Sequence, residues 1–168
     1  MRRKYRFCPN CGGKLQLGTV EKTKERLLCS ACNWVYYNNP LPVAIALTRN
    51  KNGDVLLVKR GICPGFNKWA LPGGFIDMNE KPDKACLREL KEETGIRGRV
   101  KRLIGIYLRK TIMYGALLVI GYEVEAQNEK IDFDKEIKDA KFFPITELPK
   151  ITFPVHKKFI KEVLKSGY

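Results

Sequence analysis

The chain has no apolar run long enough to cross a bilayer. The longest, around Ala116 to Ile120, falls far short of the about 20 residues that a spanning helix needs, which excludes a membrane-spanning helix. The start, Met1-Arg2-Arg3-Lys4, leads into a cysteine motif rather than an apolar segment, so no signal peptide is expected. Histidine is nearly absent. The single one, His156, lies on a basic amphipathic segment and reads as a surface residue rather than a catalyst. Internal repeats and low-complexity stretches are missing, and no interleaved aromatics suggest a base-stacking surface. Acids are also scarce, 18 against 32 lysines and arginines, for a formal net charge of +14.

The acids that are present are concentrated where their spacing matters. From Gly74, five residues lead to Glu80 and seven more to Arg88-Glu89-Leu90-Lys91-Glu92-Glu93-Thr94-Gly95-Ile96. Pro82 suits the first turn of a helix, where its missing N–H would be unpaired, and Gly95 suits the left-handed position past the end. A helix of about three turns is expected between them. At roughly 100° per residue, Cys86, Leu87, Leu90 and Thr94 share an apolar arc, with Cys86 read as core. Glu89, Glu92 and Glu93 share another arc, where neighbouring carboxylates repel by about a few tenths of a kcal/mol per pair. A divalent cation removes that conflict. Oxygen-only ligands select Mg²⁺ or Mn²⁺, which commonly complete their shell with substrate phosphates. Upstream, Leu71-Pro72-Gly73-Gly74 reads as a tight turn whose glycines let backbone approach a metal or phosphate, with the Gly74 carbonyl as a further ligand. Such a cluster can neutralise a diphosphate and lower the pKa of a bound water.

A solvated charged face is the ordinary explanation of Glu-x-x-Glu-Glu. It loses here because the acids are tied to the Pro-Gly-Gly segment, Glu80, Arg88 and Gly95. Over roughly residues 41 to 165 the chain resembles the Nudix hydrolase superfamily. The resemblance implies an α/β/α sandwich with a mixed sheet and a metal held by Glu89, Glu92 and Glu93. It further implies that Arg88 orients a glutamate and that Glu80 is structural, pairing with Arg88. Many members add a carboxylate from a loop some 40 to 50 residues past the helix, bound to metal or acting as general base. Glu136, in the segment Asp134 to Phe143, matches best, with Glu123, Glu125 and Asp134 as rivals.

The second motif is Cys8-Pro9-Asn10-Cys11 with Cys29-Ser30-Ala31-Cys32, two Cys-x2-Cys pairs 17 residues apart. This is zinc-ribbon spacing, and Gly12 and Asn33, after the second cysteine of each pair, tolerate the positive φ such knuckles need. Two disulfides or two redox dithiols are the competing readings, and zinc is preferred. Four cysteines leave no open position, so the Zn²⁺ is expected to fold a small β module rather than catalyse. Similar ribbons precede the Nudix domain in NADH pyrophosphatases and in a broader group resembling ADP-ribose or FAD pyrophosphatases. The join Trp34 to Ala44 resembles the broader group. The Ser-Gln-Pro-Trp run of NADH pyrophosphatases is missing. The 168 residues therefore divide into a ribbon, 1–40, and a catalytic domain, 41–168, with the Pro40-x-Pro42 stretch between them. Reduced cysteines and a metal site fit the cytoplasm.

Periodicity predicts strands over 43–48, 54–59, 99–109 and 116–125, and a terminal amphipathic helix with Val155, Phe159, Ile160, Val163 and Leu164 on its stripe. Four thiolates on one Zn²⁺ leave a net charge of about +12. Basic clusters lie at Arg2 to Arg6, Lys22 to Arg26 and Arg97 to Arg102. We read them first as general surface charge for solubility or heat tolerance and second as a weak RNA-binding surface. An adenine platform could come from Phe66, Trp69, Tyr107, Tyr114 or Phe142, most of which suit a core equally well. Trp69, just before the Pro-Gly-Gly segment, is expected to pack beneath it. The expected reaction is hydrolysis of a nucleoside diphosphate derivative to a nucleoside monophosphate and a phosphorylated product. ADP-ribose comes first as substrate, with FAD, NADH and nucleoside triphosphates behind it. NAD-cap removal from RNA and a non-catalytic nucleic-acid-binding regulator are the alternatives. Family resemblance also suggests a homodimer.

Overall fold

The computed structural model describes residues 5–20, 24–133 and 135–166. Arg2 to Lys4 and Lys22 of the basic clusters, and the rival acid Asp134, lie outside the described residues. The chain forms two compact units, Met1–Asn39 and Pro40–Tyr168.

The first unit is a three-stranded antiparallel sheet of β1 (Leu15–Val20), β2 (Lys24–Cys29) and β3 (Val35–Tyr36) in that order. Its core is Cys8, Leu15, Leu27 and Cys29, with Trp34 and Tyr36 packed against them. Half of that core is the metal-ligand set itself, so the unit is too small to fold on apolar burial alone.

The second unit contains β4 (Leu41–Arg49), β5 (Val55–Arg60), β6 (Trp69–Ala70), β7 (Gly73–Phe75), α1 (Pro82–Thr94), β8 (Gly98–Thr111), β9 (Gly115–Ala126), β10 (Ile137–Phe143) and α2 (Pro154–Ser166). The sheet runs β10-β5-β4-β9-β8, with β6 beside β5 and β7 beside β4. It is mixed, because β4 and β9 pair in parallel from Leu41↔Leu117 to Arg49↔Glu125 while β8 and β9 pair antiparallel. Alternation along β4 assigns the two faces. Val43, Ile45 and Leu47 join Phe159, Ile160 and Val163 of α2 in one core. Ala44 and Ala46 join Ala85, Cys86 and Leu90 of α1 in the other. Phe159 is fully buried, worth about 2–3 kcal/mol of apolar burial. The result is the expected α/β/α sandwich, and no helix among the described residues is long and apolar enough to cross a membrane.

Four expectations change on contact with the tertiary structure. Gly73 and Gly74 do not make a tight turn: they are extended in β7, in register with Ile45 and Ala44 of β4. A Cβ on Gly73 would come within 2.2 Å of the Ala44 carbonyl oxygen, so glycine is required there by strand contact. The stretch around Glu136 is not simply a loop, since Ile137–Phe143 pairs with β5 as an edge strand. His156 is not a surface residue but is buried. On α2, Leu164 falls off the buried stripe and is 42% exposed.

Candidate active site and zinc centre

In the first unit the backbone builds the same loop twice. The Cys8 N–H donates to Gly13 O and the Gly12 N–H to Cys8 O, and likewise Cys29 N–H donates to Trp34 O and Asn33 N–H to Cys29 O. Gly12 and Asn33 take φ of 73° and 59° to close these loops. The Cys8 and Cys32 sulfurs lie 3.6 Å apart and the Cys11 and Cys29 sulfurs 3.5 Å apart. All four sulfurs lie within 4.8 Å of one another. A tetrahedral site with Zn–S bonds of about 2.3 Å requires sulfurs about 3.8 Å apart, and a disulfide requires about 2.05 Å. The four residues fit Zn²⁺. Hydrogen bonding from the Trp34 amide, with help from Cys11, pulls the Cys32 thiol down to about 6. The Gly13 amide favours the Cys11 thiolate, yet the crowding sulfurs of Cys32 and Cys29 push that thiol up to about 12. A Zn²⁺ ion that binds all four sulfurs as thiolates resolves this unequal titration.

In the second unit the acid face of α1 lies over β7. Gly95 caps the helix with φ of 70° and donates its N–H to Lys91 O. Glu93 is half-buried and accepts the Gly73 N–H at 2.9 Å. Burial pushes its carboxyl up to about 8; the Gly73 N–H opposes the shift, and the charges of Glu89 and Glu136 add to it. Glu89 is raised by burial, with Arg88 acting against the shift. Its carboxylate cradles Gly74, where any Cβ would come within 2.5 Å of it. A larger residue at Gly74 would therefore displace the Glu89 carboxylate.

Arg88 organises the face. Its Nε and Nη2 donate to the two Glu80 oxygens at 2.9 Å each, a bidentate pair. Nη1 donates to Glu89 at 2.8 Å and Glu92 at 2.9 Å, and Nη2 donates also to the Phe75 carbonyl at 3.0 Å. The Arg88 bond holds Glu80 below the usual carboxylate range. Among the described residues no carboxylate set converges as the four sulfurs do. Even so the donors fit a hard divalent cation: all are oxygen, negative charge is in excess, and the half-buried Glu93 carboxyl feels the charges of Glu89 and Glu136.

Glu136 sits in the turn before β10, where its carbonyl accepts the Gly61 N–H at 2.6 Å. Its charge reaches Glu93. The rivals are engaged elsewhere, Glu123 with Arg49 and Arg102 and Glu125 with Arg99 and Lys101. Those pairs also neutralise part of the basic run from Arg97 to Arg102. The aromatic candidates are dispersed. Tyr107 packs on Phe159 and donates to Glu162, while Phe142 belongs to the core under α1. Phe66 is 50% exposed with the Lys138 ammonium 4.0 Å above its ring. Trp69 meets Phe143 edge-on, and Tyr114 meets Phe75.

One residue near the site was invisible to pattern reading. His156 Nδ1 accepts the Leu71 N–H at 3.1 Å, pinning α2 to the strand that leads into Gly73 and Gly74. Burial, reinforced by Arg109 and Arg60, pushes its pKa down to about 3, so the imidazole stays neutral. The partners are 85 positions apart in sequence, and no local pattern links them.

Comparison with known proteins gives this geometry its family. A model described as "NUDIX domain" matches residues 39–163, and one described as "Nudix N-terminal", a zinc ribbon, matches residues 6–38. The chain belongs to the Nudix hydrolases, metal-dependent enzymes that split a diphosphate linkage. It is 34% identical over 124 residues to an ADP-ribose pyrophosphatase of Methanocaldococcus jannaschii, covering 73% of each chain. It is 26% identical over 152 residues to the NAD-capped RNA hydrolase NudC of Vibrio atlanticus, covering 90% of this chain and 54% of that protein. The chain thus spans about half the length of that relative. A Nudix hydrolase structure from Nitrosomonas europaea superposes with a TM-score of 0.84 at 27% identity, covering 96% of this chain and 92% of that one.

Proposed function

We propose that this chain is an ADP-ribose pyrophosphatase, hydrolysing ADP-ribose to AMP and ribose 5-phosphate. The observation that carries the reading is the half-buried Glu93 carboxylate, tied to the Gly73 N–H and beside Glu89, in a chain 34% identical to an ADP-ribose pyrophosphatase. In this reading Gly74, Glu89, Glu92 and Glu93 hold Mg²⁺, and Mn²⁺ can replace it. The bound ion supplies charge neutralisation for the diphosphate and acidifies a water. Arg88 and Glu80 set the direction of the helix acids, and Gly95 ends the helix where Glu93 meets β7. Glu136 takes the proton as the water oxygen attacks one phosphorus and the anhydride P–O bond breaks. The division near residue 40 separates this domain from a module folded by zinc on Cys8, Cys11, Cys29 and Cys32. Phe66, Tyr107 and Phe142 stay candidates for the adenine contact, with Phe66 favoured by its exposure.

Reduced thiols for zinc support a cytoplasmic location. The exposed apolar side chains Ile106, Leu108 and Met113 on and beside β8 support a homodimer. A second reading, removal of an NAD cap from RNA, draws support from the net charge of +14 and from a relative that matches ribbon and catalytic domain together. The deciding experiment is AMP release with Mg²⁺ from ADP-ribose, FAD and NADH, beside decapping of NAD-capped RNA and phosphate release from GTP. The expected outcome is a kcat/KM for ADP-ribose at least tenfold above the others. Preference for the capped RNA would replace the first reading with the second.

A further inference from the structure

The candidate base Glu136 is exposed, so burial does not fix the direction of its side chain. The strand that follows it does. Along β10 Ile137 stands opposite Arg60 but Asp139 stands opposite Lys59, a shift of one that leaves Lys138 as an extra residue. Ile137 and Ala140 are nevertheless both buried, with Val58, in one cluster. Three positions apart on a regular strand they would lie on opposite faces, and the bulge at Lys138 brings them onto the same one. Without that bulge Glu136 would share the buried face of Ala140. With it Glu136 is turned out of that face, and its charge reaches Glu93.

The loop between β5 and β6 clasps this bulge at two points. The Gly61 N–H donates to the Glu136 carbonyl at 2.6 Å, and the Lys138 ammonium lies 4.0 Å from the centre of the Phe66 ring. The loop is itself braced. Arg60 Nε donates to the Pro64 carbonyl at 2.8 Å, the Asn67 N–H to the Arg60 carbonyl at 2.7 Å, and the Lys68 N–H to the Gly65 carbonyl at 3.1 Å. A Cβ on Gly61 would come within 2.8 Å of the Glu136 carbonyl oxygen and 3.1 Å of its carbonyl carbon. Both are main-chain atoms, which cannot swing aside as the end of a side chain can. We infer that Gly61, with the Phe66–Lys138 pair, is a positioning residue for the hydrolysis, aiming Glu136 by holding the bulge that turns it toward the acid cluster. This inference rests on the reading of Glu136 as the group that takes the proton from water. Misplacement of a reacting group by about 1 Å can cost about a hundredfold in rate.

The test uses the full chain and whichever substrate it turns over best. Gly61→Ala should lower kcat by about tenfold or more while KM stays within about threefold of wild type. Glu136→Gln should itself lose about a hundredfold in kcat. Added to Glu136→Gln, Gly61→Ala should change kcat by less than about twofold, because the group it aims is no longer a base. Lys138→Gln removes the second contact from an exposed side chain; it should lower kcat about threefold, and not at all beside Glu136→Gln. Wild-type kcat in Gly61→Ala, or an equal fall in both backgrounds, would overturn the positioning role and leave Glu136 as the base. Wild-type kcat in Glu136→Gln would overturn the base reading and the positioning role with it. Should Gly61→Ala not fold, Lys138→Gln decides alone: a loss coupled to Glu136 supports the role, and wild-type kcat or an uncoupled loss removes it.

Discussion

The cysteine cluster and the acid face of α1, the two candidate metal sites of this chain, are built on opposite principles. In the zinc knuckles each ligand pair lies within a few residues, the loop is closed by its own amides, and all four sulfurs lie within 4.8 Å of one another. Among the described residues no cationic side chain bonds to them. On α1 the acids are gathered from a helix face and share a resident cation, because Arg88 bonds Glu80, Glu89 and Glu92 at once. A closed set without its own counter-charge depends on the metal to fold. A set braced by arginine keeps its shape while a metal and a substrate come and go.

The sharpest way to break this contrast is Cys8→Ser. Structural zinc contributes on the order of 10 kcal/mol to such modules. The variant should lose its zinc by elemental analysis and expose 5–39 to protease while residues 40–166 stay resistant. Retained zinc at one per chain would refute the closed site. Next in size is Glu93→Gln, which keeps the shape but removes a charge expected to bind metal. A loss of several kcal/mol of transition-state stabilisation corresponds to about a thousandfold in kcat. The melting temperature should not fall, since Gln keeps the shape of a carboxyl whose charged form its surroundings already disfavour. Unchanged turnover would strip Glu93 of its role.

Arg88→Gln probes the brace itself. Without the bidentate pair to Glu80 the acid face should loosen, costing about 10- to 100-fold in kcat/KM, and the Mg²⁺ concentration for half-maximal rate should rise. A rate profile in Mg²⁺ identical to wild type would mean that the brace is ornamental. The smallest effect belongs to His156. Its folded pKa, about 3, lies below its ordinary 6.5. Between these values the unfolded chain binds the extra proton, so stability is full above about pH 6.5 and is lost as pH falls toward 3. Going from pH 7.5 to 5.5 should cost about 1 kcal/mol more in wild type than in His156→Gln. Chemical denaturation at the two pH values reads the difference; equal losses would show that the imidazole is not held neutral.

What was legible in the sequence follows the range of the interactions. The helix between Pro82 and Gly95, the sharing of one arc by Glu89, Glu92 and Glu93, and the positive φ at Gly12 and Asn33 depend on neighbours a few positions away. The β4, β5, β8 and β9 strands were readable to within a few residues because their side chains alternate or run continuously apolar. The strand Ile137–Phe143 was not, since its charged sequence is that of a sheet edge, where outward side chains carry no apolar period.

The sequence by itself determined the two candidate ligand sets, the helix that presents one and the loops that present the other, because spacing along a chain of known local geometry decides which side chains share a face. Only the tertiary structure decided that Gly73 and Gly74 lie in β7 against β4, that Glu136 bears on Glu93, and that His156 is buried against Leu71. Each of these joins residues that are distant in sequence through sheet register and helix packing, and no local pattern encodes register across a sheet.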